Sequence, residues 1–145
     1  MLRGIETIFD EKEAMLKHLK KKSFEKNTEE FREKHGHFFE EMAAYTAQAE
    51  DKEKAAREIG KCIADAVQKK FSNKRGKIGG RTQIDLNFFM IYYVFTNILR
   101  CGEEGQIIAD GVCAVWKETF KDGDIKYTDY DTLYNSFREK IFGII

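Results

Sequence analysis

Hydrophobic residues recur along this chain at steps of three and four, the period of a helix with one buried face. Ile5, Ile8, Met15, Leu16 and Leu19 share one such stripe, with Lys12 its one lapse, and predict a helix over 5–22. That segment ends in "KHLKKKSFEK", where Lys17, Lys20, Lys21, Lys22 and Lys26 suit a C-terminus because cations oppose the negative end of the helix dipole. Asn27 followed by Glu30 then has the spacing of a capping box. Phe31, His35, Phe38, Met42, Tyr45 and Ala49 recur behind it at helical steps, which predicts a second helix.

Beyond "AEDKEK" the residues Ala56, Ile59, Ile63, Ala66 and Lys70 keep the same spacing, which leaves two readings of 28–71. One is a single rod about 65 Å long, at 1.5 Å per residue. The other is a pair of helices. A compact domain of this length has a radius of gyration of roughly 15 Å and cannot bury the whole stripe of such a rod. A break near 50–52 is therefore expected, with Asp51 capping a third helix. An extended or swapped dimer would accommodate the rod instead.

The stretch "IDLNFFMIYYVFTNIL" carries no charge from Phe88 to Phe95, and a helix apolar on nearly all sides is a buried one. Its run is less than half of the roughly 20 residues needed to cross a bilayer, so it reads as core. This central helix is expected over about 84–100, with Thr82 or Asp85 as its cap and Gly102 at its end. A fifth helix over 103–120 turns Ile108, Val112, Val115, Trp116 and Phe120 inward. "KDGDIKYTDYD" follows as a turn-rich connector, and a last helix over 129–142 carries Tyr130, Leu133, Tyr134, Phe137 and Ile141. No segment alternates as a solvated strand does. The expected fold class is all-α, with residues 1–145 forming a single-domain bundle of five or six helices around the central one.

Composition agrees with this pattern. Among 145 residues there is no proline to break a helix. A chain 42% apolar and 13% aromatic is too rich in core-forming residues to be disordered. Its 25 basic and 25 acidic residues cancel, so a charge-driven partner must be recruited by a local patch. Cys62, Cys101 and Cys113 are odd in number and form no C-x-x-C pair, which reads as reduced thiols in a cytoplasmic protein. The N-terminus lacks the apolar core of a secretory signal, and its acids argue against a transit peptide.

Few residues point to chemistry. His35 and His37 form an H-x-H pair, but residues two apart on a helix face different ways and cannot grip one ion. His35 reads as a boundary histidine on the apolar stripe. The chain has no E-x-x-H, G-x-S-x-G, H-E-x-x-H or Walker-type phosphate loop. None of the three cysteines has a histidine or helix N-terminus expected beside it, so they read as structural. The aromatics Phe88, Phe89, Tyr92, Tyr93 and Phe95 suit a ring-filled core, with Asn87, Thr96 and Asn97 as polar groups on the same helix. A ligand pocket would share that composition. No catalytic residue, metal ligand or cofactor is assigned.

One stretch stands apart. In "KKFSNKRGKIGGRTQ" the cations Lys69, Lys70, Lys74, Arg75, Lys77 and Arg81 meet no acid, and Gly76, Gly79 and Gly80 let the backbone approach a ligand. It reads first as a solvated connector between helices. As a site it would be an anion-binding loop of Lys74, Arg75, Lys77 and Arg81, assisted by backbone N–H groups and the following helix N-terminus. Farther on, Glu103, Glu104, Asp110, Glu118, Asp122, Asp124, Asp129 and Asp131 outnumber the local lysines, so the chain is electrically two-ended. If the ends lie apart in space, copies could pair head to tail.

The leading functional expectation is a small cytoplasmic, non-enzymatic interaction or regulatory protein that binds a protein partner or itself, without a membrane. The alternative is a module that binds phosphate or nucleic acid through the loop 74–81. A second alternative is a small-molecule binder or enzyme using an aromatic-lined core pocket.

Overall fold

A computed structural model of the chain describes residues 1–16 and 21–120. Their regular structure is helical throughout, as the periodicity requires. A 3₁₀ turn over Ile5–Glu11 leads into α1, Lys12–Leu16, followed by α2 over Lys21–Gln48 and α3 over Lys52–Phe71. After the basic loop come α4, Gly80–Phe89, a π-helical turn over Met90–Val94, and α5, Phe95–Leu99. A short 3₁₀ turn, Gly102–Glu104, precedes α6 over Gly105–Thr119. The connector and last helix expected over 129–142 lie outside the described residues, as do Lys17 and Lys20.

The long stripe divides where expected. α2 ends at Gln48, and Asp51 caps α3 by accepting a hydrogen bond from the Lys54 N–H at 3.0 Å. One correction concerns Asn27: α2 already runs through Lys21, so Asn27 lies inside the helix and does not cap it. Lys and Glu between 21 and 26 are good helix formers, and a capping-box spacing permits a start without imposing one. Tyr45 is also corrected. It is exposed, and its hydroxyl donates to Glu58 of α3, while Thr46 is the buried neighbour.

The first segment is not one continuous α-helix. A left-handed Gly4, φ 82°, opens a 3₁₀ turn whose three-residue step aligns Ile5 and Ile8 against the core. The lapse at Lys12 is explained by its contact: the side chain is buried and its Nζ stands 5.7 Å from the centre of the Phe71 ring.

α4, the π turn and α5 form the central helix over 80–99. Leu86, Phe89, Met90, Ile91, Tyr93, Val94, Phe95 and Ile98 are no more than 1% exposed. Its cap is Gly79, without a side-chain hydrogen bond, so Thr82 and Asp85 lie within the helix and do not cap it. At the π turn the Phe95 N–H reaches back five residues to the Met90 carbonyl. Side chains then take over from backbone donors: Thr96 Oγ1 donates to Tyr92 O at 2.6 Å and Asn97 Nδ2 to Tyr93 O at 2.7 Å. Two hydroxyl and amide groups that would be awkward in an apolar core thus complete the backbone pairing there.

The rings fill the centre. Phe89 lies 5.5 Å from Phe9, 5.7 Å from Phe31 and 5.4 Å from Tyr93, centroid to centroid. Tyr93 donates its hydroxyl to Met15 O at 2.9 Å, and burial pushes its pKa up. Trp116 donates its indole N–H to Asn87 Oδ1 at 2.8 Å.

α3 and α6 approach closely because small residues face each other. A Cβ built on Gly111 would stand 2.5 Å from the Ala56 Cβ, and one on Gly60 would stand 3.0 Å from the Val112 Cα. Arg57 bridges the same two helices by pairing with Glu118 at 2.8 Å.

Candidate functional site

The basic loop is a folded turn. Its organiser is Asn73, whose Oδ1 accepts from the N–H groups of Arg75 at 2.9 Å and Lys77 at 3.1 Å. The Asn73 N–H donates to Lys77 O at 2.7 Å, and its carbonyl accepts from Gly76 N at 2.9 Å. Asparagine favours this because its short amide mimics a backbone group two residues on. Gly76 has φ 74°, a left-handed conformation that a side chain resists, so the glycine lets the turn close. Half-buried Ile78 packs on the core and anchors the exit of the loop.

This closure corrects one expectation. The N–H groups of Arg75, Gly76 and Lys77 already have acceptors within the loop, so they form no open cradle for phosphate. Lys74, Arg75, Lys77 and Arg81 are all exposed, and among the described residues none of the four forms an ion pair.

The four do not act from one point. Arg75 and Lys77 line a cleft of about 410 Å³ together with Gln68 of α3, Gln83 of α4, and Thr119 and Phe120 at the end of α6. Among the described residues no carboxylate is in that lining. Lys74 and Arg81 lie outside it, on the neighbouring surface. The cleft therefore combines two cations, two amides and a hydroxyl on three helices and a loop. Gln83 falls inside the basic stretch of sequence, but Gln68 and Thr119 carry no charge signal and are joined to it only by the packing of α3 on α6.

Several charged groups elsewhere have local partners. Lys70 pairs with Asp10, and Lys34 with Glu11. Lys52 pairs with Glu104 at 3.2 Å, an attraction that holds the Glu104 carboxyl below its usual pKa. With Glu118 taken by Arg57, two of the acids following Gly102 pair with α3 and not with the loop.

The histidines diverge as their spacing requires. His35 is buried, and His37 is exposed with its ring 4.1 Å from that of Phe38. Among the described residues no three His, Cys, Asp or Glu side chains converge. The thiols of Cys62, Cys101 and Cys113 form no disulfide. Burial pushes the Cys62 thiol up and carries that of Cys101 to about 11, the opposite of an activated nucleophile. No described helix is long and apolar enough to cross a membrane.

Comparison with known proteins adds no relative: no family model, curated protein or solved structure matches the chain.

Proposed function

We propose that this chain is a small non-enzymatic interaction protein that engages an anionic partner through Arg75 and Lys77, flanked by Lys74 and Arg81. The observation that carries the reading is the cleft on which the two inner cations meet Gln68, Gln83 and Thr119, with no carboxylate among the described residues of its lining. Cations on a turn fixed by Asn73 lose less freedom on binding than cations on a slack linker, which favours contact over mere solvation. The partner class that fits is a chain of phosphates, as in a nucleic-acid backbone, because the outer cations extend the inner pair along the surface.

Self-association was the other use of the separated charges. Glu104 and Glu118 are neutralised within their own molecule, and this favours an external anion over a second copy.

The test is titration of a fluorescent oligonucleotide duplex with the full chain at several salt concentrations. Four neutralised phosphates give a log–log slope of about −3.6. Lys74→Gln, Arg75→Gln, Lys77→Gln and Arg81→Gln together should abolish binding with the helical circular dichroism unchanged. Binding that ignores salt, or survives those four changes, rejects the reading.

A further inference from the structure

A second charged cleft lies on another face, between α2 and the end of the central helix. It measures about 360 Å³, within the range of small-molecule sites, and Arg32, Gly36, Glu40, Asn97, Arg100 and Cys101 are among its lining. We propose that this cleft binds a small oxyanion, a phosphate monoester or a carboxylate, between the guanidinium groups of Arg32 and Arg100.

The first support is charge without compensation. Neither arginine forms an ion pair among the described residues, and Glu40 is the one carboxylate against two cations. Partial burial, then the charge of Arg32, lowers the pKa of Arg100, a cost that an anion between the two would relieve.

The second support is positioning. Arg32 donates Nε to Asn97 Oδ1 at 3.3 Å, which leaves its terminal nitrogens for a ligand. Asn97 is 4% exposed and is itself held by its bond to Tyr93 O at 2.7 Å, at the π turn. A buried, oriented amide thus aims one guanidinium, and π turns of this kind recur at functional sites. Guanidinium groups match planar or tetrahedral oxyanions with two parallel bonds, which a lysine could not supply.

The third support is space. Gly36 sits mid-helix, where glycine weakens α2 relative to alanine, yet a Cβ there would meet only Arg32 Cγ, at 3.8 Å. No packing demands the glycine. Its missing side chain enlarges the cleft beside the arginine. The Cys101 thiol, which can donate to Asn97 O at 3.3 Å or Phe39 O at 3.4 Å, stays protonated with a pKa near 11 and adds no negative charge.

The experiment uses the full chain with the loop cations neutralised as above, so that loop binding and cleft binding are read apart. Inorganic phosphate and, separately, succinate are titrated at low ionic strength while the Arg32 Nε–H, Asn97 side-chain amide and Cys101 amide resonances are followed. At least one probe should shift them saturably, and which one does so distinguishes phosphoryl from carboxylate. Arg100→Gln should weaken that binding roughly tenfold, the scale of one charge-assisted hydrogen bond. Gly36→Ala should also weaken it while raising the thermal midpoint, an opposition that a purely structural role would not produce. Absence of a saturable shift with both probes, or affinity unchanged in Arg100→Gln, overturns the proposal.

Discussion

His35 shows how one buried atom makes the fold sensitive to pH. Among the described residues its Nε2 has no hydrogen-bond partner, and it faces Glu11 Oε2 at 3.5 Å. Burial lowers its pKa from 6.5 more than Glu11 raises it, with Lys34 and His37 also lowering it. As pH falls through 6.5 the unfolded chain takes up this proton before the folded one. His35 therefore contributes stability that is present above that value and is lost below it. Urea denaturation of the wild type should show the loss between pH 7 and 5, and His35→Gln should flatten that part of the profile; identical profiles would refute the assignment. Gly111 offers a contrasting residue. Its Cβ would strike Ala56 at 2.5 Å and backbone atoms at 2.9–3.0 Å, so Gly111→Ala should destabilise by about 1–3 kcal/mol in the same assay. No sequence rule marks Gly111, because its demand comes from α3 across the interface.

Among the elements, those set by local chemistry were legible and those set by packing were not. Asp51 ended the α2 stripe in sequence and caps α3 in the fold, so Asp51→Ala should cost about 1 kcal/mol of stability, checked by thermal melting. The charge-free run located the central helix, but its π turn was not visible, since Thr96 and Asn97 look like ordinary interruptions until their acceptors at Tyr92 and Tyr93 are known. The 3₁₀ geometry of Ile5–Glu11 was missed for the same reason: its stripe fits either helix type, and contact with the core decides. The basic loop was legible in composition only. Its closure by Asn73 predicts slow hydrogen exchange at the Arg75 and Lys77 amides, and Asn73→Ala should speed exchange at both; unchanged protection would contradict the turn's role.

At the scale of the molecule, net neutrality conceals a spatial sorting of charge. Glu104, in the 3₁₀ turn before α6, and Glu118 of α6 are matched by the α3 cations Lys52 and Arg57. The loop cations have no such match among the described residues. Sequence reasoning identified Lys74, Arg75, Lys77 and Arg81 but could not add Gln68 and Thr119, which reach the cleft from α3 and α6. The central claim is that this unmatched surface is a binding surface. It is tested most directly by the salt dependence of duplex binding, compared between the wild type and the chain with all four cations changed to glutamine. The account predicts a log–log slope of about −3.6 for the wild type and no measurable binding for the variant. Equal binding by the two proteins, or a wild-type affinity indifferent to salt, would contradict it.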